Sequence, residues 1–135
     1  MPREYTVLPS VPWGTLGVVA AGGVIGALAR FGLQSAFGTG GFPWATFGIN
    51  VAGSLLIGIV IVFASESRRA PRLTRPFLAT GVLGGFTTFS TYVVNVQHEL
   101  GTGAPRTALL YCAATAVAAL ASAWAGIRLA KAVKG

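Results

Sequence analysis

Aspartate is absent from the 135 residues, and the only glutamates are Glu4, Glu66 and Glu99. One histidine, His98, and one cysteine, Cys112, complete a thin stock of reactive side chains. Carboxylate-pair hydrolysis, a Cys–His nucleophile and a multi-ligand metal site therefore lack their raw material, and an enzyme is not expected. A lone cysteine forms no intramolecular disulfide, so Cys112 reads as a small apolar packing residue. Charge of either sign is also scarce. Only 10% of residues are charged, whereas a soluble domain carries charge on about a quarter of its residues. Apolar residues make up 53% and the mean hydropathy is +0.70, which excludes a water-soluble globule and a disordered chain alike. The length suits a single small domain.

The little charge present is mostly basic, for a net +7. A nucleic-acid binder spreads Lys and Arg over one face of a soluble fold. Here the basic residues cluster between long windows, and residues 5–29, 31–65, 76–98 and 107–127 contain no Asp, Glu, Lys or Arg. Crossing the hydrocarbon takes about 20 mostly apolar residues. Four such windows predict an all-α membrane protein of four transmembrane helices, over about 13–37, 44–65, 76–97 and 106–132. These spans with their short loops fill the chain as one four-helix subunit in the lipid bilayer, with no nucleic-acid partner.

Ala27-Leu28-Ala29 has the look of a signal-peptide cleavage tripeptide, but Glu4 and the prolines Pro2, Pro9 and Pro12 precede the apolar run, so a retained helix is expected. Gly38-Thr39-Gly40-Gly41-Phe42-Pro43 reads as a turn, with Pro43 placed to start the second helix. Trp13, Trp44 and Trp124 fall near span ends, where amphipathic rings favour the headgroup level. Small residues recur at helical spacing: Gly22 and Gly26; Gly48, Ala52, Ser54 and Gly58; Ala114, Ala118, Ser122 and Gly126. Such rows let helices approach closely in lipid, either within one subunit or against another.

Polar groups inside the membrane cost free energy and mark function. Asn50 sits seven residues into the second span, where it fits an interhelical hydrogen bond and a pathway lining equally well. The third span is more telling. It reads Gly81-Val82-Leu83-Gly84-Gly85-Phe86-Thr87-Thr88-Phe89-Ser90-Thr91-Tyr92, with glycines that weaken a helix followed by clustered hydroxyls and aromatics. A break at mid-membrane is expected here, since irregular backbone at that depth occurs where it lines a cavity or is buried in protein. On these boundaries no carboxylate lies in any span, so a proton relay is not available. The remaining groups are hydroxyls, the Asn50 amide and aromatic ring edges, all able to face a small anion. Tyr111 and Thr115, one turn apart on the fourth helix, extend this ladder of donors. The residues alone thus predict a passive pathway for a small, hydrogen-bond-accepting anion.

Gly22-Gly23-Val24-Ile25-Gly26-Ala27-Leu28-Ala29-Arg30-Phe31 resembles the first-helix signature of the Fluc/CrcB fluoride channels. Thr46-Phe47-Gly48-Ile49-Asn50-Val51-Ala52-Gly53-Ser54 is similar to their second-helix motif, and the segment from Gly84 to Tyr92 to their third-helix break. The resemblance implies an antiparallel dimer with fluoride pores along the subunit interface, a pathway for passive fluoride export that reduces cytoplasmic fluoride toxicity. It implies a structural sodium ion held by the backbone carbonyls of Gly84 and Thr87 of both subunits. It places Asn50, Phe89, Ser90, Thr91, Tyr92, Tyr111 and Thr115 along the fluoride pathway and gives Arg30 a vestibule charge. Tyr92 stands where the family usually has a second pore phenylalanine, and Ala119 where a further hydroxyl would continue the ladder.

Rival readings are a small four-helix multidrug or proton-coupled exporter and a non-conducting structural subunit. The first needs an intramembrane carboxylate, and the second does not need four clustered hydroxyls. With four spans, Arg3, Arg68, Arg69, Arg72, Arg75, Arg128, Lys131 and Lys134 share one side of the membrane, leaving Arg30 and Arg106 on the other. The positive-inside rule then puts both termini in the cytoplasm. An antiparallel homodimer would need half its copies inserted the other way. The resemblance, to a family in which some members occur as pairs of homologous subunits of opposite fixed orientation, implies an oppositely oriented paralogue as the second subunit, with a dual-topology homodimer as the alternative.

Overall fold

The computed structural model describes residues 10–37, 41–66 and 71–135, and every regular element within them is helical. Helix α1 spans Trp13–Ala36 and α2 spans Trp44–Glu66. Helix α3 is π-helical over Pro76–Leu83 and α-helical over Gly84–Phe86. Helix α4 spans Ser90–Gly101 and α5 Pro105–Lys134. Taken as α1, α2, α3 with α4, and α5, the described residues hold four helices long and apolar enough to cross a membrane. Arg3, Glu4, Arg68, Arg69 and the Gly38-Thr39-Gly40 part of the first turn lie outside the described residues.

Prolines set the starts. Pro76 and Pro105 occupy first-turn positions of their helices, where a missing N–H costs nothing, and Pro12 and Pro43 directly precede α1 and α2. Helix α1 runs unbroken through Ala27-Leu28-Ala29. The two turns at the other end of the bundle use Gly41 and Gly103 at φ of 65° and 78°, a region that suits glycine. The third span continues past the expected residue 97 to Gly101. Glu99 ends the charge-free window but not the helix, so one carboxylate does lie within a span, in its last turn.

Helix α1 packs on α3, and α2 and α4 pack on α5. Glycine makes both seams. A Cβ on Gly22 would come within 2.6 Å of the Phe77 carbonyl, and one on Gly26 within 2.7 Å of the Phe86 nitrogen and still closer to the Val82 carbonyl. Gly81 and Gly85 meet α1 reciprocally, at Val19 and Gly23. Across the bundle Gly58 lies against the Ala123 carbonyl and Gly126 against that of Leu55. Backbone-to-backbone approach supplies dispersion contact where hydrophobicity alone cannot hold helices together. The glycines of the third span, expected to weaken its helix, are thus mainly contact residues. The break follows them, at Thr87-Thr88-Phe89.

Candidate functional site

The break is built by a side chain from another helix. Thr87 leaves the helical region (φ −74°, ψ 156°), so the next backbone groups need partners from outside the span. Asn50 provides both. Its Nδ2 donates to the Thr88 carbonyl at 2.9 Å and its Oδ1 accepts the Thr88 N–H at 2.8 Å. Asn50 is 8% exposed and Thr88 is buried as well. The Thr87 hydroxyl donates back to the Leu83 carbonyl at 2.9 Å, closing the end of α3. The Thr88 hydroxyl accepts the Thr91 N–H at 3.1 Å, capping the first turn of α4, and contacts the Thr91 and Ser90 hydroxyls at 3.1 and 3.3 Å. The carbonyl end of α3 and the amide end of α4 therefore face each other across three residues. The first favours a cation and the second an anion.

A row of rings leaves the break. Phe89 and Tyr92 have centroids 5.7 Å apart, Tyr92 and Tyr111 5.4 Å, and Tyr111 meets Phe42 edge-on at 5.3 Å. The Tyr92 hydroxyl donates to the Cys112 carbonyl at 2.9 Å and lies 3.0 Å from its Sγ. The extra oxygen of this tyrosine is thereby tied to α5 rather than left free beside the ring.

A second polar cluster lies one turn beyond Asn50 and Thr91. Asn95 donates from Nδ2 to the Thr46 hydroxyl at 3.0 Å and to the Tyr111 hydroxyl at 3.2 Å, and Gln34 reaches Thr46 at 3.4 Å. Tyr111 is fully buried. One turn further along α5, Thr115 places a buried hydroxyl beside Tyr111 without a partner in hydrogen-bonding geometry. A cavity of about 490 Å³ reaches this cluster from the end of the bundle that carries Gly41 and Glu99, with Gln34, Thr46, Thr91 and Asn95 in its wall.

The expected site residues thus fall into distinct places. Asn50 holds the break, Thr91 lines the cavity, Tyr92 and Tyr111 form the ring row, and Thr115 continues it. Phe89, Ser90 and Gly84 are exposed on the surface of the single subunit, Phe89 at 77%. Arg30, expected in a vestibule, donates to the Thr87 carbonyl at the break at 3.3 Å. Thr46, Thr88, Asn95 and Gln34 were not singled out from the sequence. Three of these were legible as polar pairs one turn apart, Thr46 with Asn50 and Thr91 with Asn95, or as the middle of the hydroxyl run, Thr88.

A family profile described as "CrcB-like protein, Camphor Resistance (CrcB)" matches residues 17–127. The chain is 51% identical over 109 residues to "Fluoride-specific ion channel FluC 1" of Streptomyces coelicolor, covering 79% of this chain and 71% of that one. It is 54% identical over 100 residues to "Fluoride-specific ion channel FluC 2" of Streptomyces avermitilis, covering 73% and 63%. It is 38% identical over 117 residues to "Fluoride-specific ion channel FluC" of Agrobacterium fabrum, covering 84% and 94%.

Proposed function

Because the chain belongs to the CrcB-like family, we propose that it is the subunit of a fluoride-selective channel that lets fluoride leave the cytoplasm passively. The observation that carries this is the Asn50–Thr88 clamp, which holds a helix break open to hydroxyls and ring edges inside the bilayer. Fluoride is small and strongly hydrated, so a pathway must replace water's donors with its own. Thr91 beside the break and Thr46 and Asn95 of the cluster share one cavity wall, whereas Glu99 lies ten residues past Phe89, about 15 Å by helix rise. That position is unsuited to a mid-membrane proton relay. Purified protein in liposomes loaded with fluoride should release it under a clamped potential, with chloride far slower. Equal rates for the two ions, or release that requires a proton gradient, would overturn the reading in favour of an exporter, and no release at all would favour a structural subunit.

The pathway is completed by a second subunit in antiparallel orientation. Phe89, Ser90 and Gly84 lie exposed at the break, and polar backbone at that depth is not left to lipid. Gly84 has open space on its outer side, with the Ala79 carbonyl at 3.8 Å its nearest neighbour there. The carbonyls of Gly84 and Thr87 are hard oxygen donors at the negative end of α3, and they fit a sodium ion shared between subunits. Bound there, the ion supplies a fixed positive charge that ties the two breaks together. The Arg30 contact to Thr87, at 3.3 Å, is long enough to be yielded to it. The expected consequence is a dimer that dissociates or melts earlier in sodium-free buffer; indifference to sodium would remove the ion from this account.

On this reading both termini face the cytoplasm, because most of the basic residues share their side of the membrane. The ends of α2 and α5 lie together there, with Lys134 Nζ 5.6 Å from the Phe63 ring and the Arg128 guanidinium 5.4 Å from the Trp124 ring, an interfacial anchor. An oppositely oriented paralogue is the favoured partner. A cysteine added at the C-terminus should be labelled from the cytoplasmic side only in intact cells. Substantial labelling from both sides would instead establish the homodimer.

A further inference from the structure

Conduction as proposed above makes no use of Glu99. This carboxylate belongs to a residue only 7% exposed, in the last turn of α4, and it lines the cavity beside Gln34, Thr46 and Asn95. Among the described residues it makes no ion pair. Its backbone carbonyl is occupied by the Thr102 hydroxyl at 3.1 Å and the Ala104 N–H at 2.8 Å, but these bonds leave the side chain uncommitted. The other titratable groups toward this end are His98, the preceding residue, which lines the same cavity, Arg106 at the start of α5, exposed beyond the turn, the Tyr111 phenol, held by Asn95, and Arg30, one turn before Gln34 on α1 and engaged by the Thr87 carbonyl at 3.3 Å. A negative charge in the wall of a cleft set into the protein projects its field into the opening and depletes anions there.

We infer that Glu99 is an electrostatic brake on this mouth, a rate-setting residue that lowers fluoride occupancy of the stretch the ion must cross between the Thr46–Asn95–Tyr111 cluster and the solution outside it. The inference rests on the fluoride-channel reading, and it has a signature that a packing role lacks. Its strength must fall as salt screens the mouth, because the Debye length shrinks from about 30 Å at 0.01 M to about 3 Å at 1 M.

The test is initial fluoride efflux from liposomes holding the assembled channel, with ionic strength set by an impermeant salt at about 0.01 M and about 1 M. Glu99→Gln should speed efflux about 3- to 10-fold at the lower ionic strength and approach the wild-type rate at the higher one. Gln34→Lys places the opposite charge in the same cavity and should act in the same direction, which keeps the inference open to refutation if Glu99→Gln fails to fold. Rates unchanged or slower at low ionic strength, or a gain of equal size at both, would overturn the brake while wild-type fluoride efflux stood. Absence of fluoride efflux from the wild type would overturn the channel reading and the brake with it.

Discussion

Asn50→Ala should lower fluoride efflux by about 100-fold or more, the change that about 2.7 kcal/mol of added barrier produces. The substitution removes both bonds to Thr88, at 2.9 and 2.8 Å, and leaves a buried carbonyl and a buried N–H without partners. Each such orphan costs about 1–3 kcal/mol, so the break is expected to rearrange rather than persist with the same shape. Asn50→Asp separates the two halves of the clamp, since it keeps an acceptor for the Thr88 N–H and loses the donor to the carbonyl. It should also be strongly impaired, because it sets a carboxylate at the break. The measurement is efflux from liposomes beside size-exclusion chromatography of the same preparation. A monodisperse Asn50→Ala protein with wild-type efflux would reduce Asn50 to a packing residue.

The clamp also orders the rest of the site. With Thr88 fixed, its hydroxyl can cap α4 through Thr91, which directs the amide end of α4 at the break. The same turn sets Tyr92 over Tyr111 and carries Asn95 to Thr46. One interhelical contact between α2 and the break therefore positions the ring row and the polar cluster together. The glycine seams supply the stiffness this needs, since α1 and α3 meet backbone to backbone at Gly22, Gly26, Gly81 and Gly85.

The spans were legible because a charge inside hydrocarbon is costly, so four uncharged windows leave few alternatives. The prolines at helix starts were legible for a local reason, their missing N–H. The exact place of the break was not. Glycine at 81, 84 and 85 reads as helix weakening on solution propensities, yet Gly81 and Gly85 are placed where helices touch, as glycine is favoured to be in lipid. What ends the helix is Asn50, 38 residues away in sequence, and its engagement with Thr88 is a tertiary fact. Glu99 was misplaced for the opposite reason. A charge bounded the apolar window, but the hydrogen-bonded helix ran on to Gly101, carrying the carboxylate into the cavity wall. The Asn95 and Thr46 pairing shows a weaker signal that was present in the sequence: polar residues one turn from a recognised site residue on the same face.

Phe89→Ile should leave the fold of the subunit intact and still reduce fluoride efflux by about 100-fold. In the single chain Phe89 is 77% exposed, and its one ring partner among the described residues is Tyr92 at 5.7 Å, so little packing within the subunit depends on it. Stability of the subunit should change by less than about 1 kcal/mol, since Phe89 stands at the N-cap of α4 but its exposed side chain makes no cap bond. The loss of efflux has a different origin. A phenyl edge carries partial positive charge and can face an anion, whereas an aliphatic side chain of similar bulk cannot. Phe89→Tyr keeps the ring edge and should retain a substantial part of the activity, which distinguishes ring electrostatics from bulk. The readouts are efflux, thermal melting and oligomeric state on the same samples. Dissociation of the proposed dimer by Phe89→Ile would make the ring an interface anchor instead. Unchanged efflux from an intact dimer would place Phe89 against lipid and take it out of the pathway altogether.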